Sequence, residues 1–244
     1  MNMRKLLLRS IAVMVSAFAL TSCDSDDTYY YYVPYQANAI VTVKTAENGD
    51  WYMQLDDSTT LYATNIHQAP YNKEVRALVS CYETGGDANG YSKAVFVNQI
   101  DSFLTKPAVT CPTGDIDKIY GNDPIEIVKS WMTVAEDGYL TLRVRTLWGA
   151  NGKPHYINLL TGLNPDNPYE VELRQNAYGD TQGHWGDALV AFKLNNLPLS
   201  GKTTITVKYQ SFSGEKKVDF TFNRGSIASE SAATEPAPYS ERLK

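Results

Sequence analysis

Apolar residues at helical spacing are almost absent from this 244-residue chain, which excludes helix bundles and folds that alternate helix with strand. Histidine and cysteine are scarce, with three of each. His67, His155 and His184 are too scattered for a motif such as His-x-x-x-His. A Gly-x-Ser-x-Gly elbow is also missing, so nucleophilic catalysis has no support in sequence. Positive charge is in deficit: 22 Lys and Arg stand against 27 Asp and Glu, for a net charge of −5. Such a balance lacks the basic footprint of nucleic-acid or anionic-membrane binding. Finally, no apolar run approaches the roughly 20 residues of a membrane-spanning helix.

The longest such run, Ile11 to Leu20, follows Arg4, Lys5 and Arg9, which is the layout of a secretory leader. It ends in Leu20-Thr21-Ser22-Cys23, which resembles the lipobox of bacterial lipoproteins. That resemblance implies cleavage before Cys23 and acylation of its thiol. Each buried methylene contributes roughly 0.8 kcal/mol, and two or more chains anchor stably. Asp24, Asp26 and Asp27 follow, resembling the acidic export tags that carry lipoproteins of some Gram-negative gut and oral anaerobes to the cell surface. A solvated spacer is the plainer alternative. Loss of the leader's three cations takes the mature chain from −5 to −8. Cys81 and Cys111 are then its only other thiols, and in an exported protein two cysteines read as one disulfide.

Alternation of period 2 dominates from Ala39 to Phe222, so the chain is expected to be all-β. "AIVTVKT", "WYMQL", "TLYATN", "EVRALVSCY" and "KAVFVNQI" are five short strands, with a turn at Asn48-Gly49, and they suit a small barrel over 39–122. Residues 23–38, with Tyr29 to Tyr32 and Tyr35, form an acidic, tyrosine-rich tether after the 1–22 leader. An aromatic run of this kind either docks on the barrel as an added strand or contacts sugars and headgroups.

Beyond the link 113–124, Leu140, Leu142 and Val144 alternate with Thr141, Arg143 and Arg145. Ile205, Val207 and Tyr209 do the same, as do Val218, Phe220 and Phe222. One buried and one wet face per strand is the pattern of antiparallel sheets. Seven strands are expected in a β-sandwich over 123–224, near 125–133, 139–147, 155–160, 169–175, 188–194, 203–210 and 216–222, with Asp137-Gly138 as a tight hairpin. Residues 225–244 are too poor in large apolar side chains to form a strand and read as a mobile tail.

The lipobox, the five-strand first half, "GNDPIEI" at 121–127, "HYINLL" at 155–160 and "VELRQNAYGD" at 171–180 together resemble the NigD-like lipoproteins. The resemblance covers nearly the whole mature chain. It implies an OB-type barrel followed by a β-sandwich and an envelope address, and it brings no catalytic residue, cofactor or metal.

Chemistry-bearing patterns are few. An OB barrel invites a nucleic-acid reading, but residues 39–122 hold six Lys and Arg against ten Asp and Glu, so no nucleic-acid partner is expected. Glu170 and Glu172 lie about 7 Å apart on one strand face, near the separation of an inverting glycosidase pair. Val171 and Leu173 take the core face, however, so both carboxylates point to water with Arg174 beside Glu172, and nothing separates their pKa values. "NPDNPYE" at 164–170 has too few anionic groups for a calcium loop and reads as a turn. His155 shares the alternation of Ile157 and Leu159 and is expected to be structural.

Counting strand crossings from Ile125 brings the loops 148–154, 176–187 and 211–215 to one end of the sandwich. Trp148, Tyr178, His184, Trp185 and Phe212 should gather there, against mainly "VAEDG", "TGLNPDNP" and "NLPLSGK" at the other. Tyr and Trp are favoured in interfaces, so this end is the candidate contact surface. Because the link enters through Pro124, the barrel is expected to dock there too, with a site in the crevice between domains as the alternative. The sequence therefore reads as a non-catalytic, lipid-anchored protein of the outer membrane, on its periplasmic or outer face, that binds a protein or glycan. A structural accessory subunit of a surface complex is the alternative, and a glycan-active enzyme is a distant third.

Overall fold

The computed structural model describes residues 37–149 and 153–224. Cys23, the leader, the tether up to residue 36 and the tail from 225 lie outside the described residues. Five strands, β1 (Ala39–Thr45), β2 (Trp51–Gln54), β3 (Thr60–Ala63), β4 (Val75–Glu83) and β5 (Lys93–Ser102), close a barrel in the order β1-β2-β3-β5-β4. All pairs are antiparallel except β3 with β5.

Ala39, Val41 and Val43 point inward with Met53, Leu61, Val75, Ala77 and Val79. On β1 and β4 the outward face is also buried: Ile40 and Leu78 pack against Phe103, Met132, Tyr139, Leu189 and Ala191. Burial on both faces turns the expected alternation into continuous buried runs, five residues in β1 and seven in β4. That second face is the junction with the next domain.

The sandwich begins at Leu104, not at residue 123. β6 (Leu104–Pro107) pairs with β13 (His184–Lys193), and β7 (Val109–Thr110) pairs with β11 (Tyr156–Thr161). α1 (Ile116–Tyr120) follows, capped by the Asp115 carboxylate, which accepts from the Lys118 N–H at 3.2 Å. The remaining strands are β8 (Glu126–Ile127), β9 (Val134–Glu136), β10 (Tyr139–Trp148), β12 (Glu170–Asn176), β14 (Gly201–Ser211) and β15 (Gly214–Arg224). One sheet runs β6-β13-β10-β8 with β9 on β10, and the other runs β15-β14-β12-β11-β7. Their inner faces meet in one core that includes Leu140, Leu142, Val144, Leu159, Val171, Leu173, Val190, Phe192, Ile205, Val207 and Phe222.

Two further sequence expectations need correction. The sheets are mixed, because β6–β13, β7–β11 and β12–β14 are parallel pairs. The strand expected over 125–133 is cut to two residues, since Trp131 and Met132 leave the sheet to pack at the junction. Thr133 Oγ1 donates to the Val128 carbonyl at 2.6 Å and fixes that detour. The hairpin at Asp137-Gly138 forms as expected, with φ of 48° and 77°.

Candidate functional site

The barrel sits at the end of the sandwich opposite to the one expected. Its Arg76 side chain reaches Glu136, and its Lys44 reaches Asp137 at 2.6 Å. The Asp57 carboxylate accepts from the Asp137 N–H at 2.7 Å. Glu74 accepts from the Tyr139 hydroxyl and from Lys193 at 2.6 Å. The "VAEDG" turn and the end of β13 are thus the docking face. The expectation failed because the chain enters the sandwich at Leu104 beside the barrel, and residues 111–124 then carry it to the far end before Ile125.

The aromatic end is consequently distal, away from the barrel. Trp148 and Trp185 do share it: on paired strands Leu147 lies opposite Trp185, and Trp148 opposite His184. Trp185, 49% exposed, meets Phe212, 40% exposed, edge to face at 4.7 Å. Phe212 is placed by Glu126, whose carboxylate accepts from the Phe212 N–H at 3.2 Å and from Ser211 Oγ at 2.5 Å. Tyr178 meets Tyr156 edge to face at 5.5 Å, and both are about half exposed. His184 is exposed at the start of β13.

A buried support lies under these rings. The Trp148 ring stacks on His155 at 4.3 Å, and its Nε1 donates to the Gly186 carbonyl at 3.1 Å. The His155 side chain is fully buried, with Nε2 at 3.2 Å from Asp180 Oδ2. The same carboxylate oxygen accepts from the Gly149 N–H at 3.0 Å. Gly183, at φ 131°, passes so close to Trp148 that a Cβ there would lie 2.0 Å from the Trp148 carbonyl oxygen. Residues 150–152 of the expected loop lie outside the described residues. His155 was legible as structural, but Tyr156 and Asp180 were missed; "HYINLL" and "AYGD" were their only signal.

The same motifs interlock. The Asp123 carboxylate accepts from the Ala177 N–H at 2.7 Å, while Arg174 donates to the Gly121 carbonyl at 3.1 Å and to Asp117 at 2.5 Å. Gly121, at φ 73°, lies where a Cβ would stand 2.5 Å from the Gln175 carbonyl. "GNDP" and "RQNAYGD" thus fix each other, and they hold Tyr178 in its left-handed turn at φ 51°.

The other candidates resolve plainly. Cys81 and Cys111 are both free, which overturns the expected disulfide. Cys81 points into the barrel core, whereas Cys111 follows β7 in the sandwich, its N–H donating to the Thr161 carbonyl at 2.8 Å. Burial pushes the Cys81 thiol up to about 12. Glu170 pairs with Lys217 at 3.1 Å and Glu172 with Arg174 at 2.8 Å along the shallow hollow that Leu163, Asn164 and Lys208 also line. The bond from Lys217 holds Glu170 below its usual range, so it is no proton donor at neutral pH. Asn164 and Asn167 cap the turn expected there by accepting from the Asp166 and Tyr169 N–H groups. Among the described residues no group of three or more His, Cys, Asp or Glu could hold a metal ion.

Two family models match the chain: the NigD-like N-terminal OB domain over residues 40–103, and the NigD-like C-terminal beta sandwich domain over 108–222. The chain belongs to the NigD-like family. Neither description of this family names a catalytic activity. Among solved structures it is similar to a "Putative TOXIN related protein" from Parabacteroides distasonis, with 33% identity and a TM-score of 0.61, over 76% of this chain and 92% of that one. A NigD-like immunity protein from Bacteroides caccae shares the fold at 19% identity and a TM-score of 0.53, over 77% of this chain and 97% of that one. A "Putative lipoprotein" from Bacteroides fragilis does so at 12% identity and 0.51, over 78% and 98%. Among curated proteins none matches.

Proposed function

We propose that this NigD-like protein is a lipid-anchored, non-catalytic protein of the outer membrane that binds a protein partner through the distal end of its sandwich. The supporting observation is the pairing of Trp185 with Phe212, both large, exposed and remote from the barrel that could have covered them. Aromatic residues set on a rigid base are the usual anchors of protein interfaces. The base here is the Trp148, His155 and Asp180 cluster. The name of the relative from Bacteroides caccae, an immunity protein, favours a protein over a glycan as the occupant of this surface. Anchorage rests on Cys23 at the end of its lipobox, and the relative described as a lipoprotein is in keeping with it. The acidic residues after Cys23 extend the reading to the outer face of the membrane.

The test is affinity capture of the intact lipoprotein from its native envelope beside the Trp185→Ala and Phe212→Ala variants. A protein that co-purifies with the wild type and is lost from both folded variants supports the reading. Equal recovery with all three would overturn it, and would leave the accessory-subunit alternative to be sought on another face.

A further inference from the structure

The distal rings leave a second aromatic surface out of account, on the barrel. Tyr52 lies on β2 and Tyr62 on β3, both half-buried and both outward, because Met53 and Leu61 between them face the core. Tyr91, from the loop between β4 and β5, completes the row. Its ring lies 5.1 Å from that of Tyr52 and 6.2 Å from that of Tyr62, with planes within 24° and 2° of parallel. The row is fixed before any ligand arrives. Ser92 N–H donates to Thr60 Oγ1 and Thr60 N–H to Ser92 Oγ, each at 3.0 Å, which ties the residue after Tyr91 to β3. Tyr91 N–H donates to the Ala88 carbonyl at 3.0 Å.

The turn between β1 and β2 leads directly into β2, with Asp50 two residues before Tyr52, and carries hydrogen-bonding groups. Asn48 and Asp50 bond reciprocally, side chain to side chain at 2.8 Å and backbone to side chain at 3.0 Å, and both are exposed. Burial first, and then the charges of Asp50 and Tyr52, raise the pKa of the Tyr91 phenol, so it remains a neutral donor. In a five-strand barrel of this topology, the faces of strands two and three with the flanking first and fourth loops are where oligonucleotides and oligosaccharides bind. Charge decides between them. From Ala39 to Ser102 there are four Lys and Arg against eight Asp and Glu. The two lysines next to the row are already engaged, Lys44 with Asp137 at 2.6 Å and Lys93 with Glu83 at 3.0 Å. A phosphate or uronate would meet acids and occupied cations. A neutral sugar meets flat apolar rings for its C–H face and phenol, amide and carboxylate groups for its hydroxyls.

We infer that Tyr52, Tyr62 and Tyr91, with Asn48 and Asp50, form a binding site for a neutral oligosaccharide on the outer face of the barrel. This goes beyond the reading of the distal end and is independent of it. The site uses no residue of the sandwich, so either can fail alone.

The test titrates the mature chain, carrying Cys23→Ser, with neutral hexasaccharides of β-1,4-glucan, β-1,3-glucan, α-1,4-glucan, mannan and xylan, followed by calorimetry. Oligo-thymidylate and oligogalacturonate serve as charged probes. At least one neutral hexasaccharide should bind saturably. Tyr91→Ala should weaken it by about ten-fold, the order expected for one or two lost stacking contacts. Tyr91→Phe should retain most of the affinity, and Trp185→Ala all of it. Because Tyr91 lies in a loop, its removal spares the barrel core; Tyr62→Ala, checked for folding by circular dichroism, gives a second reading of the same site. The proposal is overturned if no neutral hexasaccharide binds, if binding survives both alanine variants undiminished, or if only the charged probes bind.

Discussion

Arg76 of the barrel and Glu136 of the sandwich form an ion pair, Nη2 to Oε1 at 2.5 Å, with side chains only 0% and 7% exposed. Thr42 Oγ1 accepts a second bond from Arg76 at 3.0 Å, and the guanidinium stands 5.8 Å from the centre of the Tyr139 ring. The pair links the two domains across the junction, and loss of either member would leave the other's charge buried without a partner. Removing one member of such a pair typically costs about 3–5 kcal/mol, while replacing both with apolar residues is often neutral. Arg76→Ala should therefore lower the urea midpoint sharply and open the junction near residues 131–137 to proteases. Arg76→Met with Glu136→Leu should recover much of the loss. A single Arg76→Ala variant as stable as wild type would show that the pair does not hold the domains together.

The same carboxyl makes stability depend on pH. Burial, the leading cause, pushes Glu136 up to about 7; Arg76 opposes this, and Asp56 and Asp57 add to it. The unfolded chain has this carboxyl near its ordinary 4.5. Between those two values the folded state binds the extra proton, so the contribution of Glu136 is fully present below 4.5 and is lost as pH rises through 7. Urea unfolding measured across that window should show the decline in wild type and a flatter profile in Glu136→Gln. Identical profiles would assign the pH dependence to other groups.

The five barrel strands were legible because inward residues such as Val41, Met53 and Leu61 alternate with outward ones between clear turns. The start of the sandwich was not. "LTKP" and "VT" have no alternation to betray them, and they pair in parallel with strands more than fifty residues away in sequence, at Val190 and Leu160. Missing those strands put the barrel at the wrong end while leaving Trp148 and Trp185 correctly together, since both come from strands counted after Ile125. The tyrosine row escaped for another reason. Tyr52, Tyr62 and Tyr91 are brought together by barrel closure and a loop conformation, neither of which leaves a local pattern.

The free thiols differ in reach. Cys81 is shut in the barrel core with its ionisation suppressed, while Cys111 is half-buried beside Pro112. In the folded mature chain carrying Cys23→Ser, a thiol reagent should modify Cys111 quickly and Cys81 only on unfolding. Two equally fast thiols would show the barrel opening readily. No reaction without prior reduction would restore the disulfide.

Acylation at Cys23 has its own test. Intact mass of the processed protein should show lipid on that residue, and Cys23→Ser should leave the membrane fraction. A processed chain without lipid would remove the anchor from the reading.

The distal surface and its support can be separated by two substitutions. Trp185 is exposed at the sandwich end, so Trp185→Ala removes a contact residue and should change stability by less than about 1 kcal/mol. Gly183 makes no such contact. Its φ of 131° and the 2.0 Å approach of a Cβ to the Trp148 carbonyl leave an alanine no room, since the obstructing atom is backbone. Gly183→Ala must push Trp148 away, disturbing its stack on His155, at roughly 1–3 kcal/mol. Circular dichroism and Trp fluorescence should then register a loosened distal end in Gly183→Ala and a folded one in Trp185→Ala, with partner capture lost from both. If Gly183→Ala unsettles the support and capture is unchanged, partner binding does not depend on the buried base beneath the rings.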